Sequence, residues 1–215
     1  MQFKLKFVPL ISICARRSQQ LFPRRVNTSR WLPCNFSILQ IISLTKFNLG
    51  QNSISTEILT TEKGNKIYLD KYQFTFKEWT KSHSFDTYNG KTILELNNEP
   101  LFAELLVLRL LENKGFKGAW VDSFRNKFWQ SLPQFSTPTL IDKNLQEIYD
   151  KIYEAKGGRK AGCFDVIVYN GNEFIFIELK RKGKDKIRLT QIDWLEAALK
   201  LDLDKQNFII AEWDI

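Results

Sequence analysis

Histidine is almost absent from this 215-residue chain, in which His83 is the only one. A single histidine cannot build a histidine-rich metal site, and a Ser-His-Asp triad would have to rely on His83 alone as its base. The residues on either side of His83 are polar, which favours a surface loop. The sequence therefore argues against both histidine-based chemistries.

Cysteine is also scarce, and Cys14, Cys34 and Cys163 form an odd set without C-x-x-C spacing. This pattern argues against a disulfide framework and against a cysteine-based zinc site, and it suits a reducing intracellular compartment. No apolar run approaches the roughly 20 residues that span a bilayer. We therefore expect a soluble protein without a membrane partner, whose oligomeric state the sequence leaves open.

Acidic residues are missing from the first 56 positions, since Glu57 is the first one. Eight of the 32 basic residues lie in this leader, so the remaining 24 balance the 24 acidic residues and the net charge of +8 belongs to the leader. An organelle transit peptide, a disordered basic arm and a non-native extension from a mispredicted start all fit residues 1–56. We expect this segment to be poorly ordered and leave it out of the fold prediction.

Residues 57–98 read as a small β-rich region. The tripeptide Lys63-Gly64-Asn65 separates two apolar runs and predicts a hairpin. Residues 77–97 are rich in aromatic side chains but irregular, and their pattern assigns no element.

Residues 99–215 alternate between helix and strand patterns, in the order α-β-α-β-β-α-β, which predicts a mixed α/β domain. A largely buried helix is predicted from Glu99-Pro100 to Lys114-Gly115. A second helix is capped by Asp142, and a third begins with the capping box Thr190-Gln191-Ile192-Asp193. The predicted strands are Ala119–Val121, the pair described next, and Phe208–Ala211, with a long connection over residues 123–141.

Two acidic residues mark the ends of neighbouring apolar strands. Asp165 precedes the run Val166–Tyr169, and Glu178 and Lys180 end the run that begins at Phe174. The turn-type residues between the runs predict a β-hairpin inside a sheet that is covered on both faces. Because side chains alternate along a strand, Glu178 and Lys180 should share one face. Charged groups at such positions are costly unless they are paired or bind a metal.

This set of groups suits the hydrolysis of a phosphodiester. Mg²⁺ prefers oxygen ligands, usually one or two carboxylates with waters and substrate phosphate. Asp165 and Glu178 supply two carboxylates, and the carbonyl group of Leu179 offers a further oxygen. Lys180 can hold a hydroxide nucleophile or neutralise charge that develops on phosphorus.

Glu-x-Lys alone is not specific, since it occurs three times in the chain. Glu112-Asn113-Lys114 and Glu154-Ala155-Lys156 lie at the polar ends of predicted helices, where a lysine suits the helix dipole. Only Glu178-Leu179-Lys180 ends a predicted strand, and a short turn separates this strand from the one that Asp165 precedes. This context selects the third copy as the candidate site.

With these residues in place, the segment resembles the PD-(D/E)xK nuclease superfamily and, more narrowly, its VRR-NUC (virus-type replication-repair nuclease) domain. The resemblance covers roughly residues 99–215. It differs from the family at Phe164, which stands where the family has Pro and changes the backbone at the start of the strand. The matching segments are Gly162-Cys163-Phe164-Asp165, Glu178-Leu179-Lys180, Lys182-Gly183-Lys184-Asp185 and Gln191-Ile192-Asp193-Trp194-Leu195.

The resemblance implies a Mg²⁺- or Mn²⁺-dependent DNA nuclease with a restriction-endonuclease-like αβββαβ core, a mixed central sheet flanked by helices. It implies that Asp165 and Glu178 bind the metal and that Lys180 assists the nucleophile. Glu104 would bind the metal directly or through water, and Gln191 would steady the site from its helix. Glu99 competes with Glu104 for this role, because the two lie about 140° apart around a helix and cannot both face the site.

Basic residues cluster on both sides of the candidate site. A solvated loop is the usual explanation of such a run, but its position beside the predicted metal site favours contact with a DNA backbone. The candidate nucleic-acid-binding residues are Arg159, Lys160, Arg181, Lys182, Lys184, Lys186 and Arg188.

Three functions fit the sequence. The first is a metal-dependent nuclease that acts on DNA in repair, replication or recombination. The second is a non-catalytic nucleic-acid-binding module of the same fold, which would lack a member of the acidic set. The third is a restriction-type or mobile-element endonuclease in which residues 57–98 recognise the target. The acidic set is complete, and residues 57–98 contain no basic cluster, so the first function is preferred.

Overall fold

The computed structural model describes residues 48–88, 90–159, 161–171 and 173–215. These residues form ten β-strands, three α-helices and one short 3-10 helix. The chain is therefore an α/β protein with a mixed central sheet, and the predicted fold class is confirmed at this level. Of the predicted leader, only residues 48–56 are among those described, and residues 53–56 belong to the first strand, so the expectation of poor order is wrong for them.

The elements alternate along the chain from residue 103 onwards, as the hydrophobic patterns predict. The strands are β1 Ser53–Thr60, β2 Lys66–Thr75, β3 Lys77–Glu78, β4 Leu94–Leu96, β5 Glu99–Leu101, β6 Lys117–Asp122, β7 Lys127–Trp129, β8 Val166–Asn170, β9 Glu173–Arg181 and β10 Phe208–Asp214. The helices are α1 Ala103–Glu112, α2 Lys143–Ala155 and α3 Leu189–Leu199, and the 3-10 helix is Lys205–Asn207.

The central sheet has seven strands in the order β1-β2-β10-β9-β8-β6-β7. Strand β10 runs parallel to both β2 and β9, and the other neighbours are antiparallel. Parallel neighbours need a crossover connection, which α3 supplies between β9 and β10. Because β2 pairs with β10, residues 57–98 share this sheet with the residues that follow. Strands β3, β4 and β5 form a separate antiparallel sheet.

Both faces of the central sheet are covered, as the apolar runs in β8 and β9 predict. On one face, α1 buries Leu105 and Leu108 against Val166 and Ile177. The opposite face packs against α2 and α3 in a second core, which includes Leu145, Leu195, Ile167, Phe176 and Ile210. Alternate residues of one strand therefore enter two different cores.

Both predicted hairpins are confirmed. Strands β1 and β2 pair Ile58 with Tyr68 around Gly64, which has φ +82°. Strands β8 and β9 pair Val166 with Ile177. Gly64 adopts the left-handed backbone conformation that a side chain would strain.

Two predicted helix starts are wrong. Glu99 and Pro100 belong to β5, and α1 begins after Phe102. Proline suits this position because β5 is an edge strand, where a missing N–H breaks no ladder bond. Thr190 does not cap α3, whose N-cap is Arg188, because the side chain of Gln191 accepts the Arg188 backbone N–H at 2.9 Å.

The remaining sequence expectations concern other helix ends, the long connection and the cysteines. Asp142 caps α2 as predicted and accepts the backbone N–H of Asn144 at 2.8 Å. The connection over residues 123–141 contains the short strand β7. Cys163 is buried and free, and Cys14 and Cys34 lie outside the described residues. Within the described ranges, no helix has the length and apolar content needed to cross a bilayer.

Gly118 is required where β6 meets β8, because a Cβ atom there would lie 2.0 Å from the carbonyl oxygen of Ile167. We predict that Gly118→Ala separates the two strands and lowers the free energy of unfolding by about 3 kcal/mol, measured by urea unfolding. Gly171→Asn is the control, because nothing lies within 4 Å of this turn position and Asn tolerates its φ of +58°. Equal losses in both variants would contradict the steric explanation.

Candidate active site

Asp165 and Glu178 meet at one end of the central sheet. Since Val166 pairs with Ile177, the residue before β8 lies opposite Glu178, and both side chains are on the face that packs against α3. A pocket of about 680 Å³ opens here. Its lining includes Lys91, Glu104, Phe124, Asp165, Glu178, Leu179, Lys180, Arg188 and Gln191.

Glu178 is only 1% exposed, so its carboxylate depends on protein groups rather than on water. Its Oε1 atom accepts hydrogen bonds from Lys180 Nζ at 2.7 Å and from Gln191 Nε2 at 2.5 Å. The predicted placement of Glu178 and Lys180 on one face of β9 is therefore confirmed.

Gln191 connects this carboxylate to the start of α3. Its Oε1 atom accepts the Arg188 backbone N–H at 2.9 Å and Lys180 Nζ at 3.3 Å, while its Nε2 atom donates to Glu178. The amide group therefore has one orientation, because its oxygen faces two donors and its nitrogen faces a carboxylate. The same side chain starts the helix and orients two residues of the site.

Asp165 is held by the backbone of the strand beside it. Its Oδ2 atom accepts the backbone N–H of Leu179 at 2.9 Å, and its own carbonyl group accepts the N–H of Val121 at 2.7 Å. The backbone of Asp165 is thus bound to β6 and its carboxylate to β9. Leu179, whose carbonyl group was predicted as a metal ligand, lines the same pocket.

The structure brings Glu104, and not Glu99, to this pocket. Glu104 lies in the first turn of α1, is 7% exposed and forms an ion pair with Lys91. Glu99 lies in β5 and pairs with Arg109 NH2 at 3.1 Å. The choice that the sequence left open is decided by the start of α1, which lies four residues later than predicted.

The loop before Asp165 packs directly against α3. A Cβ atom on Gly162 would lie 1.9 Å from the carbonyl oxygen of Thr190, and its φ of +89° also favours glycine. Lys156 is buried and donates to the carbonyl oxygens of Ala161 and Thr190. These contacts fix the distance between the loop that carries Asp165 and the helix that carries Gln191.

Burial and neighbouring carboxylates raise the pKa of both Asp165 and Glu178. Burial, and then the charge of Glu104, raise the pKa of Asp165 to about 6, although the Leu179 N–H and two lysines act in the opposite direction. Burial, and then the charge of Asp165, hold the pKa of Glu178 well above its usual range. Ionisation of both carboxyl groups at once is therefore disfavoured in this pocket.

A divalent cation fits this pair. Glu178 Oε2 is buried without a hydrogen-bond partner, and it belongs to the carboxyl group that lies next to Asp165. Among the residues that the structure describes, no group of three or more His, Cys, Asp and Glu side chains is arranged to hold a metal ion. Mg²⁺ commonly uses only one or two carboxylates and takes its other oxygens from water and phosphate. Asp165 and Glu178 are the two carboxylates of this pocket that could serve in this way.

The sequence prediction missed two charged residues, Lys91 in the pocket and Asp122 close to Lys91. Lys91 lies over the rings of Phe102 and Trp120 and contacts Glu104, and no sequence motif indicates it. Burial lowers its pKa, but the charge and hydrogen bond of Glu104 outweigh burial, so the pKa of Lys91 is raised. Asp122 is 6% exposed at the end of β6. Glu178 was selected because it is an acidic residue at the end of an apolar strand. Asp122 follows the predicted strand Ala119–Val121 and could have been selected in the same way.

The predicted nucleic-acid-binding residues divide into exposed and packed side chains. Arg159, Lys182, Lys184, Lys186 and Arg188 are exposed, whereas Lys160 lies outside the described residues. Arg181 donates to Thr92 Oγ1 at 2.8 Å and packs over the ring of Trp213 at 5.1 Å. The guanidinium group of Arg181 is therefore bound within the protein. The other five described residues of this set remain the candidates for contact with DNA.

Comparisons with known proteins return no match: no protein-family model, no curated protein and no solved structure is similar to this chain at a significant level. Its function therefore has to be argued from the residues and the geometry of the site.

The raised pKa of Asp165 predicts a pH-dependent stability in protein freed of metal by EDTA. Its ordinary pKa of 3.8 rises to about 6 on folding. The folded state thus gains stability from the bound proton below about pH 4 and loses it as the pH rises through 6. We predict that Asp165→Asn is more stable than wild type at pH 7, by on the order of 2 kcal/mol, with a smaller difference at pH 4.

Urea unfolding at the two pH values measures this difference. Asp150→Asn, on the exposed face of α2, controls for the removal of one negative charge elsewhere. The prediction would be contradicted if the free energies of unfolding of Asp165→Asn and wild type differed by the same amount at pH 4 and pH 7.

Proposed function

We propose that this protein is a Mg²⁺- or Mn²⁺-dependent nuclease that hydrolyses phosphodiester bonds of DNA, in repair, replication or recombination. The observation that carries the proposal is the adjacent pair Asp165 and Glu178, with Lys180 Nζ 2.7 Å from Glu178 Oε1 in the same open pocket. DNA is the substrate that the resemblance to VRR-NUC domains implies.

Six residues of the pocket have a role in this proposal. Asp165 and Glu178 would hold the cation, with the carbonyl group of Leu179 as a further oxygen ligand and Glu104 acting through a bridging water. The cation would supply charge to polarise the phosphate and to activate water. Lys180 would hold the attacking water or hydroxide and stabilise the charge that develops on phosphorus. Gln191 would fix the positions of Glu178 and Lys180.

Helix dipoles favour the same charge arrangement. Glu104 lies in the first turn of α1 and Gln191 in the first turn of α3, so the N-termini of both helices are close to the pocket. The positive end of a helix stabilises nearby negative charge. A pocket with two carboxylates and a phosphate is therefore better tolerated here than in the middle of the sheet.

We further propose that α1, β6, β8, β9, α3 and β10 form the αβββαβ core of a restriction-endonuclease-like fold. In support, these elements follow one another in that order, and α3 joins the parallel strands β9 and β10. Strands β6, β8 and β9 are antiparallel neighbours. Strand β7 and helix α2 would then be an insertion between β6 and β8.

The catalytic assignment predicts that Glu178→Gln and Lys180→Ala each lower DNA cleavage by at least about 100-fold, because one removes a cation ligand and the other removes the charge beside the nucleophile. Cleavage is measured with Mg²⁺ or Mn²⁺ on single-stranded, duplex, flap and four-way-junction DNA, and EDTA should stop it.

The other two Glu-x-Lys copies provide matched controls. Glu154 is on the exposed side of α2, and Lys114 follows the end of α1. The Glu154→Gln and Lys114→Ala proteins should therefore cleave DNA as the wild-type protein does. Full activity of Glu178→Gln and Lys180→Ala would refute the proposed active site. DNA binding without cleavage by the wild-type protein would favour the non-catalytic module instead.

The exposed cations predict a salt-dependent interaction with DNA. The triple variant Lys182→Ala, Lys184→Ala and Lys186→Ala should bind DNA more weakly and lower the slope of log affinity against log salt, by up to about 0.9 for each phosphate that the loop no longer binds. Fluorescence anisotropy with the Glu178→Gln protein as background measures both quantities without cleavage.

A second triple variant serves as the control for this measurement. Alanine at Lys117, Lys143 and Lys151 removes the same charge from exposed positions outside the pocket. An equal loss of affinity in the two triple variants would indicate a general charge effect rather than DNA binding by the loop after β9.

A further inference from the structure

Phe124 stands in solvent at the edge of the carboxylate pocket. Its side chain is 91% exposed, and it lines the same pocket as Asp165, Glu178 and Lys180. Single exposed apolar side chains are common on proteins and need no special explanation. The position of this ring beside two carboxylates and a lysine is what distinguishes it.

The turn that carries Phe124 is bound to the buried carboxylate of Asp122. Asp122, 6% exposed, accepts the backbone N–H of Arg125 at 3.1 Å and binds the Arg125 guanidinium group at 3.1 Å. That guanidinium group also lies 4.0 Å from the centre of the Tyr88 ring. Arg125 thus lies between Tyr88 and Phe124, with its guanidinium carbon 5.8 Å from the centre of the Phe124 ring, and the rest of that ring is exposed.

The other strongly exposed apolar side chains have different surroundings. Leu140 is 97% exposed and Phe135 is 63% exposed, and both line a separate pocket whose described lining contains no ionisable residue. Of the three most exposed large apolar side chains in the described part of the chain, Phe124 alone shares a pocket with the cations Lys91, Lys180 and Arg188.

We propose that Phe124 is a stacking platform for one unpaired nucleobase next to the phosphate that is cut. The cations of the pocket match a phosphate backbone, and an exposed aromatic ring matches the flat face of a base. A base inside a continuous duplex is already stacked on both faces, so the ring selects DNA with an unpaired nucleotide, such as a single strand or a flap. This inference rests on the proposed nuclease function and names its substrate class.

Three variants at position 124 distinguish the effect of an aromatic ring from the effect of an apolar side chain. Phe124→Ala and Phe124→Leu should cleave single-stranded DNA about tenfold less efficiently, as kcat/KM, whereas Phe124→Trp should retain or exceed wild-type efficiency. Leu140→Ala, an exposed apolar position in the other pocket, should behave as wild type. Wild-type efficiency in Phe124→Ala would overturn the stacking platform, and so would full rescue by Phe124→Leu.

A second measurement does not depend on catalysis. A single-stranded oligonucleotide with 5-iodouracil at successive positions is irradiated with the full-length protein in EDTA, and the crosslinked residue is identified by mass spectrometry. A crosslink to Phe124 supports the inference, and crosslinks only at other residues overturn it. If crosslinking to Phe124 occurs but no DNA is cleaved with Mg²⁺ or Mn²⁺, the nuclease proposal fails while the base-binding site stands.

Discussion

The burial of one carboxylate governs the arrangement of this end of the molecule. Glu178 lies on a strand in the middle of the seven-stranded sheet and is 1% exposed, so water cannot stabilise its charge. An unpaired buried charge would be very costly, and removing one partner of a buried pair is strongly destabilising. The ammonium group of Lys180 and the amide group of Gln191 are therefore parts of the fold as much as parts of the pocket.

The compensation is incomplete, and this links structure to function. Asp165 lies beside Glu178 and raises its pKa, and one oxygen of Glu178 remains without a hydrogen-bond partner. Lys91 forms an ion pair with Glu104, and Lys180 forms one with Glu178. Neither lysine is therefore paired with Asp165. A protein selected only for stability gains nothing from a second carboxylate here. Two buried neighbouring carboxyl groups whose ionisation a divalent cation would favour are the physical argument for the nuclease proposal.

The helices couple this charge arrangement to the two cores. Gln191 starts α3 and also orients Glu178 and Lys180, and Gly162 lets the Asp165 loop approach the first turn of the same helix. A displacement of α3 would therefore move three parts of the pocket together. On the other face of the sheet, α1 brings Glu104 to the pocket from the opposite core. The pocket thus depends on both layers of helices being docked on the sheet.

The sequence by itself determined the hairpin of β8 and β9, because strand alternation and a turn with a glycine are local properties, and with it the placement of Glu178 beside Lys180. It also predicted the α/β class from the alternation of helix and strand patterns. The tertiary structure alone decided between Glu99 and Glu104, since the start of α1 depends on the pairing of β5 with β4. It alone brought Lys91 and Phe124 to the pocket, because sheet order and helix docking, rather than spacing along the chain, set which distant residues meet.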